Sequence, residues 1–191
     1  MRLIRSKSYR RMPWKNGGGE TIEIAVSPQN ASLEAFDWRV SMARVESDGP
    51  FSAFPGIDRT LAVLEGQGIE LTLDGQAPVL VADAPYSFPG DVATASRLLG
   101  GPITDLNVMT RRGRLAHRVS VVDAVGATDF VVRSPTALLY CQRGMVAIED
   151  EYAAPFELNA ADTLLIEAQP NSLRLNANTA SRLFLVEIGP A

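Results

Sequence analysis

Leu61-Ala62-Val63-Leu64-Glu65-Gly66-Gln67-Gly68-Ile69-Glu70-Leu71 reads as a strand, a glycine turn and a second strand. Leu138-Leu139-Tyr140-Cys141-Gln142-Arg143-Gly144-Met145-Val146-Ala147-Ile148 repeats that order in the second half of the chain. Downstream of each hairpin comes an apolar residue and then a small residue with Asp: Phe88-Pro89-Gly90-Asp91 first, Leu158-Asn159-Ala160-Ala161-Asp162 second. A hairpin that recurs with its own downstream turn is an internal repeat, and it implies that one β unit is built twice. Outward from the hairpins, short runs with period-two alternation or β-branched enrichment continue to both ends, among them Thr21 to Val26, Trp38 to Val45, Thr104 to Thr110, Arg118 to Val122, Thr163 to Glu167 and Arg182 to Ile188. Gly, Pro, Asn and Asp separate them, and no segment keeps a helical apolar period over a dozen residues, which predicts an all-β sandwich or barrel. Ala93 to Leu99 is the one candidate for a short turn of helix.

The order of a VLEG hairpin followed by a GD turn resembles the cupin superfamily. That resemblance implies duplicated cupin-like (RmlC-like jelly roll) β-barrels, a bicupin, with a first barrel over residues 1–115 and a second, mainly structural, over 116–191. The 191 residues suffice for two small barrels, each with a core of its own.

Composition narrows the class. The chain is 46% apolar and 21% charged, with the charges dispersed, as in a folded globule. Met1 is followed by Arg2, Arg5, Lys7, Arg10 and Arg11, but no apolar core of a signal peptide follows them, and no run of about 18 apolar residues occurs. A cytoplasmic protein with no membrane partner is the expectation. The single Cys141, among Leu138, Leu139 and Tyr140, reads as a small buried hydrophobe, in keeping with a reducing compartment. Net charge is −4, yet residues 1–15 hold six positive charges and no acid, leaving twelve positive against twenty-two negative in the remainder. The basic residues alternate with Leu3, Ile4, Tyr9, Met12 and Trp14 as on a half-buried edge strand, and the acidic remainder would repel a phosphate backbone, so no nucleic acid partner is expected.

Cupin enzymes hold iron, manganese or zinc with histidines and a glutamate around the hairpin. Here the segment before it reads Gly49-Pro50-Phe51-Ser52-Ala53-Phe54-Pro55-Gly56-Ile57-Asp58-Arg59-Thr60, with hydroxyl and phenyl groups where imidazoles would stand. His117 is the only histidine and falls in the expected connection between barrels. One imidazole excludes a His-based metal site and removes Ser-His-Asp and Cys-His machinery, so neither a metal nor a cofactor is expected.

What remains is a polar constellation in the first half. In Pro13-Trp14-Lys15-Asn16-Gly17-Gly18-Gly19-Glu20 three glycines lie between a cation and a carboxylate. Two readings stand side by side: converging backbone N–H groups that bind an anion, or a strand crossing where only glycine fits. Alternation puts Arg39, Ser41 and Ala43 on one face of their strand, and a small polar face in a barrel lumen suits a ligand. Asp58, Arg59, Asn107 and Arg111 could join it, with Arg112 at the solvated strand end. Glu149, Glu157 and Glu167 in the second half read as a solvated face.

The strings PWKNGGGET, DWRVSMARVESDGPFSAFPGIDRTL, VLEGQGIELTLDG, SFPGD and DLNVMTRR resemble the HutD/Ves family of bacterial proteins. The resemblance implies a bicupin in the cytosol, associated with histidine utilisation in an accessory or regulatory role. It makes Lys15, Asn16, Gly18, Glu20, Arg39, Ser52, Asp58, Arg59, Asn107 and Arg111 the ligand-binding candidates. The expected partner is a small carboxylate of the urocanate or formylglutamate class, and a homodimer is the expected assembly. Two rival readings remain: a metal-free isomerase or lyase with Glu20 or Asp58 as base and Lys15 or Arg59 steadying the developing charge, and a scaffold that acts through a protein partner.

Overall fold

The computed structural model describes residues 1–14, 19–76, 79–82, 84–150, 153–167 and 171–191. Among these the only helical segment is a 3-10 turn at Ser6–Ser8. The strands are β1 (Arg2–Ile4), β2 (Arg10–Pro13), β3 (Gly19–Ser27), β4 (Trp38–Val45), β5 (Gly49–Pro50), β6 (Ile57–Glu65), β7 (Ile69–Leu73), β8 (Val79–Val81) and β9 (Tyr86–Pro89). They continue with β10 (Thr94–Leu98), β11 (Ile103–Arg111), β12 (Leu115–Val132), β13 (Thr136–Arg143), β14 (Met145–Asp150), β15 (Ala153–Asn159), β16 (Thr163–Glu167) and β17 (Asn171–Pro190). No helix is long and apolar enough to cross a membrane among the described residues.

The helical turn expected at Ala93 to Leu99 is instead β10, paired antiparallel with β7 from Thr94↔Leu73 to Leu98↔Ile69. Thr94 and Ser96 are buried and Ala95 and Arg97 exposed, a period of two. In so short a run, cross-strand pairing outweighs the helix propensity of Ala and Leu.

The chain divides into two units, Tyr9–Ala116 with the terminal Ala191, and Met1–Ser8 with His117–Pro190. The first eight residues therefore lie with the second half, not with the first barrel where the 1–115 boundary put them. β1 pairs with β16 (Arg2↔Leu165 to Ile4↔Thr163), and Asp162 accepts hydrogen bonds from the Ser6 amide at 2.9 Å and Arg5 Nη1 at 2.7 Å. His117, expected in a connection, lies on β12.

The Tyr9–Ala116 unit has a six-stranded sheet in the order β2-β3-β4-β11-β6-β9 and a four-stranded sheet in the order β5-β10-β7-β8. The Leu61–Leu71 hairpin crosses from one sheet to the other, because β6 belongs to the first and β7 to the second. Its Gly66 has φ +99°, and a Cβ there would stand 2.7 Å from Ile103 Cγ2, so glycine is required both by conformation and by space. Ala43, Val45, Leu61, Phe88 and Ile103 from the larger sheet pack on Ile69, Leu71 and Val81 from the smaller. Pairing of β11 with both β4 and β6 sets Ser41, Asn107 and Leu61 in one row, Arg39, Met109 and Arg59 in the next, and Ala43, Asp105 and Val63 in a third. The interior is apolar at one end and polar at the other.

In the second unit β13 pairs with β16 and with the later part of β17 (Leu183 to Ile188), while β14 pairs with β15 and the earlier part of β17 (Leu173 to Asn176). β12 also pairs with β17. The interior is filled by Leu139, Cys141, Val146, Ile148, Leu158, Leu164, Ile166, Leu173, Leu175 and Leu183. Burial pushes the Cys141 thiol up to about 11, with the Asp162 charge adding to the effect, so the thiolate that would react is scarce at neutral pH. Glu149, Glu157 and Glu167 are exposed.

Candidate functional site

The polar end of the Tyr9–Ala116 unit encloses a cavity of about 610 Å³. β4 contributes Arg39, Ser41, Ala43 and Val45; β11 contributes Asp105, Asn107 and Met109; β6 contributes Arg59. Alternation along each strand sends these residues to one side, so three short sequence segments supply one wall. Met12, Pro13, Trp14, Thr21, Pro50, Phe51, Ser52 and Phe54 line the rest, together with the exposed Leu33.

Arg59 is 7% exposed, and the other four polar groups of the wall are buried too: Arg39, Ser41, Asp105 and Asn107. The Arg59 guanidinium lies 4.6 Å from the centroid of the Phe51 ring and 5.5 Å from that of Phe88, within reach of cation–π attraction to both. Its Nε donates to Asn107 Oδ1 at 2.8 Å, and its Nη2 donates to the same oxygen. Asn107 Nδ2 in turn donates to Asp105 Oδ1. Asn107 thus bridges a buried cation and a buried carboxylate that do not touch. Burial lowers the Arg59 pKa to about 10, opposed by the Asp105 charge. Burial raises the Asp105 pKa to about 7, opposed by the Arg59 charge. Each charge is costly alone and is tolerated because of the other.

Arg39 Nε donates to Glu23 Oε2 at 2.8 Å, and Trp14 Nε1 donates to Thr21 Oγ1 at 2.8 Å. A guanidinium has five N–H groups. Two of those on Arg59 go to Asn107 and one on Arg39 goes to Glu23, which leaves donors on each for a ligand in the cavity.

Of the ten candidates, Arg39, Ser52, Arg59 and Asn107 line this cavity. Lys15, Asn16 and Gly18 lie outside the described residues. Glu20, Asp58 and Arg111 stand elsewhere. Glu20 is one residue from Thr21, hence on the opposite face of β3, and pairs with Arg11 at 2.8 Å. Asp58 is likewise across the strand from Arg59. Its partner is Arg112 Nε at 2.7 Å rather than its sequence neighbour. Arg111 donates through Nε and Nη2 to the Phe36 carbonyl and through Nη2 to that of Glu34, bracing the loop before β4. Arg112 also holds Asp91 through two hydrogen bonds, so the residue read as a solvated strand end joins two turns. Gly19, the one described glycine of its run, supports the crossing reading: a Cβ there would stand 2.0 Å from the Arg44 carbonyl oxygen.

The residues that the sequence reading passed over are Asp105 and Glu23. The signal for Asp105 was present, since it stands two residues before Asn107 and shares its strand face. Nothing local marks Glu23, which matters only because β3 lies against β4.

The Tyr9–Ala116 unit is thus an all-β fold whose interior holds a polar cavity with two buried arginines beside an acid–amide bridge. Salicylate 1,2-dioxygenase from Pseudoaminobacter salicylatoxidans shares this fold at a TM-score of 0.59 over 79% of this chain and 71% of its own, at only 9% identity. The chain belongs to the HutD family, whose model matches residues 6–185. It is 35% identical over 190 residues to an uncharacterized 21.2 kDa protein in the hutC 3' region of Pseudomonas putida, covering 98% of this chain and 97% of that one. Protein Ves of Citrobacter koseri is 38% identical over 124 residues, 62% of this chain and 64% of its own. The structure of HutD from Pseudomonas fluorescens SBW25, in a formate condition, superposes with a TM-score of 0.84 at 32% identity, covering all of this chain and 98% of that one.

Proposed function

We propose that the cavity of the Tyr9–Ala116 unit binds a small carboxylate without a metal, and that the protein has an accessory or regulatory role in histidine utilisation in the cytoplasm. The observation that carries the ligand class is the pair Arg39 and Arg59, buried side chains that line one cavity and keep donors uncommitted. Guanidinium matches a carboxylate through parallel hydrogen bonds, and burial strengthens them. The hut connection of the relatives supports the pathway, which makes urocanate and formylglutamate the first ligands to try. The rival enzyme reading loses its bases, since Glu20 and Asp58 are committed to Arg11 and Arg112 away from the cavity.

We also read the two units as a duplication. β13 and β14 keep the partner pattern of β6 and β7: β15 and β16 stand where β8 and β9 do, and the two parts of β17 where β10 and β11 do. In this reading the second copy, with its apolar interior, is the structural one.

The test is titration calorimetry with urocanate, formylglutamate and formate. A charge-assisted hydrogen bond contributes about 1.5–3 kcal/mol, so Arg59→Ala should weaken the ligand by roughly ten- to a hundredfold, with Arg59→Lys recovering part of the loss. Arg112→Ala removes a positive charge outside the cavity and should leave affinity unchanged. Equal losses in folded Arg59→Ala and Arg112→Ala would refute the reading.

A further inference from the structure

We infer that Asp105 selects among carboxylates in this cavity, favouring those that also carry an N–H donor. The inference rests on the carboxylate reading above and adds the chemistry required at the other end of the ligand. Asp105 lines the cavity and is 1% exposed; its Oδ1 accepts from Asn107, while Oδ2 has no hydrogen-bond partner among the described residues. A buried carboxylate oxygen without a donor carries a desolvation cost that the Arg59 charge offsets only in part.

The side chains around it do not supply that donor as they stand. Arg59 on β6 is turned onto Asn107, and Arg39 on β4 is engaged with Glu23 on β3. The cross-strand neighbours of Asp105 are Ala43 and Val63, which have no side-chain donor; the Ala43 backbone amide lies close enough to favour the charged carboxylate, yet Oδ2 gains no hydrogen bond from it. The wall therefore has two chemical ends, guanidinium donors at Arg39 and Arg59 and a lone acceptor at Asp105, with Asn107 between them. A ligand with a carboxylate and an N–H satisfies both ends together. An alkyl carboxylate of the same shape satisfies one and leaves Oδ2 bare.

The acceptor must be ionised for this to hold, so the preference depends on pH. The charged groups that face Asp105 are Arg59 and, beyond it, the Arg39–Glu23 pair. Burial, the dominant influence, places the Asp105 pKa at about 7. Acidification turns Oδ2 towards a hydroxyl, and the preference for a donor fades.

N-acetylglycine and levulinate form a matched pair of probes: the same carboxylate and the same ketone-like carbonyl, with an N–H in one where the other has a CH₂. Calorimetry on the full chain should find N-acetylglycine bound about ten- to a hundredfold more tightly than levulinate near pH 8, with a smaller ratio near pH 5.5. Asp105→Asn places an amide N–H where Oδ2 stood and should bring the ratio to one or below while levulinate still binds. Equal binding of both probes by wild type, with both affinities lost in Arg59→Ala, overturns this inference and leaves the carboxylate reading intact. If neither probe binds, or if Arg59→Ala changes neither affinity, the carboxylate reading fails and this one with it. Should Asp105→Asn not fold, the wild-type pH series decides, and a ratio that does not move with pH counts against the inference.

Discussion

Replacing Asp105 with Asn should change how the stability of this protein depends on pH, and the size of the change follows from the burial of one carboxyl group. In the unfolded chain an Asp titrates near 3.9, whereas in the fold burial raises Asp105 to about 7 against the pull of Arg59. Between those values the folded state holds a proton that the unfolded state has released, so stability falls as the pH rises. The contribution is fully present below the unfolded pKa and is gone above the folded one. Three pKa units correspond to about 4 kcal/mol, and a rise of a single unit would still give about 1.4 kcal/mol. Asn cannot titrate. The difference in unfolding free energy between wild type and Asp105→Asn should therefore shift in favour of the variant by about 3 kcal/mol between pH 4.5 and 8, the rest of the span lying below pH 4.5. Any constant offset, such as a difference in packing between the amide and the protonated acid, cancels in this comparison, as do carboxylates common to both proteins. Urea denaturation at intervals of half a pH unit measures it. Parallel curves for the two proteins across that range would show that Asp105 is ionised in the fold at ordinary pKa, and the account of the Arg59–Asn107–Asp105 bridge would be wrong.

Three further outcomes follow from the packing. Gly66→Ala should cost well over 2 kcal/mol, because the new methyl meets Ile103 as well as an unfavourable φ, whereas Gly75→Ala, at φ +69° in open space, should cost about 1 kcal/mol; chemical denaturation distinguishes them, and equal costs would refute the steric argument. Asp162→Ala should destabilise by about 1–3 kcal/mol by stranding the Ser6 amide and Arg5. Burial works against the charged form of Asp162, but the Ser6 and Arg5 hydrogen bonds outweigh it and hold the carboxyl below its ordinary range, so its contribution is present above the unfolded pKa and fades on acidification; a Asp162→Ala melt as stable as wild type at neutral pH would contradict this. Elemental analysis after dialysis against chelator should find no stoichiometric iron, manganese or zinc, since the chain has one histidine and one buried cysteine, and a mole of metal per mole of chain would overturn the expectation.

The strands were legible because burial on one face of a pleated strand imposes a period of two, and the run Arg39, Ser41, Ala43 carried that period without any knowledge of its neighbours. The misreadings fall where local pattern is silent. Ala93 to Leu99 is too short for its period to decide between helix and strand, and pairing with β7 settled it. Glu20 and Asp58 lie next to cavity residues in the chain, but adjacency on a strand means opposite faces, so they turn away. Arg111 does share the face of Asn107, yet it lies at the strand end, beside the Phe36 carbonyl rather than the cavity.

By itself the sequence determined that the chain is all-β, that it lacks the imidazoles of a metal cupin, and that cationic and amide side chains gather in its first half. Those properties depend on composition and on near-neighbour spacing, which the linear order carries. Which cation meets which acid or amide is set by tertiary structure, because the partners Arg59 and Asn107, Arg39 and Glu23, and Arg5 and Asp162 are brought together by strands that pair across the chain. The raised pKa of Asp105 belongs to the same class: desolvation is a property of the packed interior, and no stretch of sequence contains it.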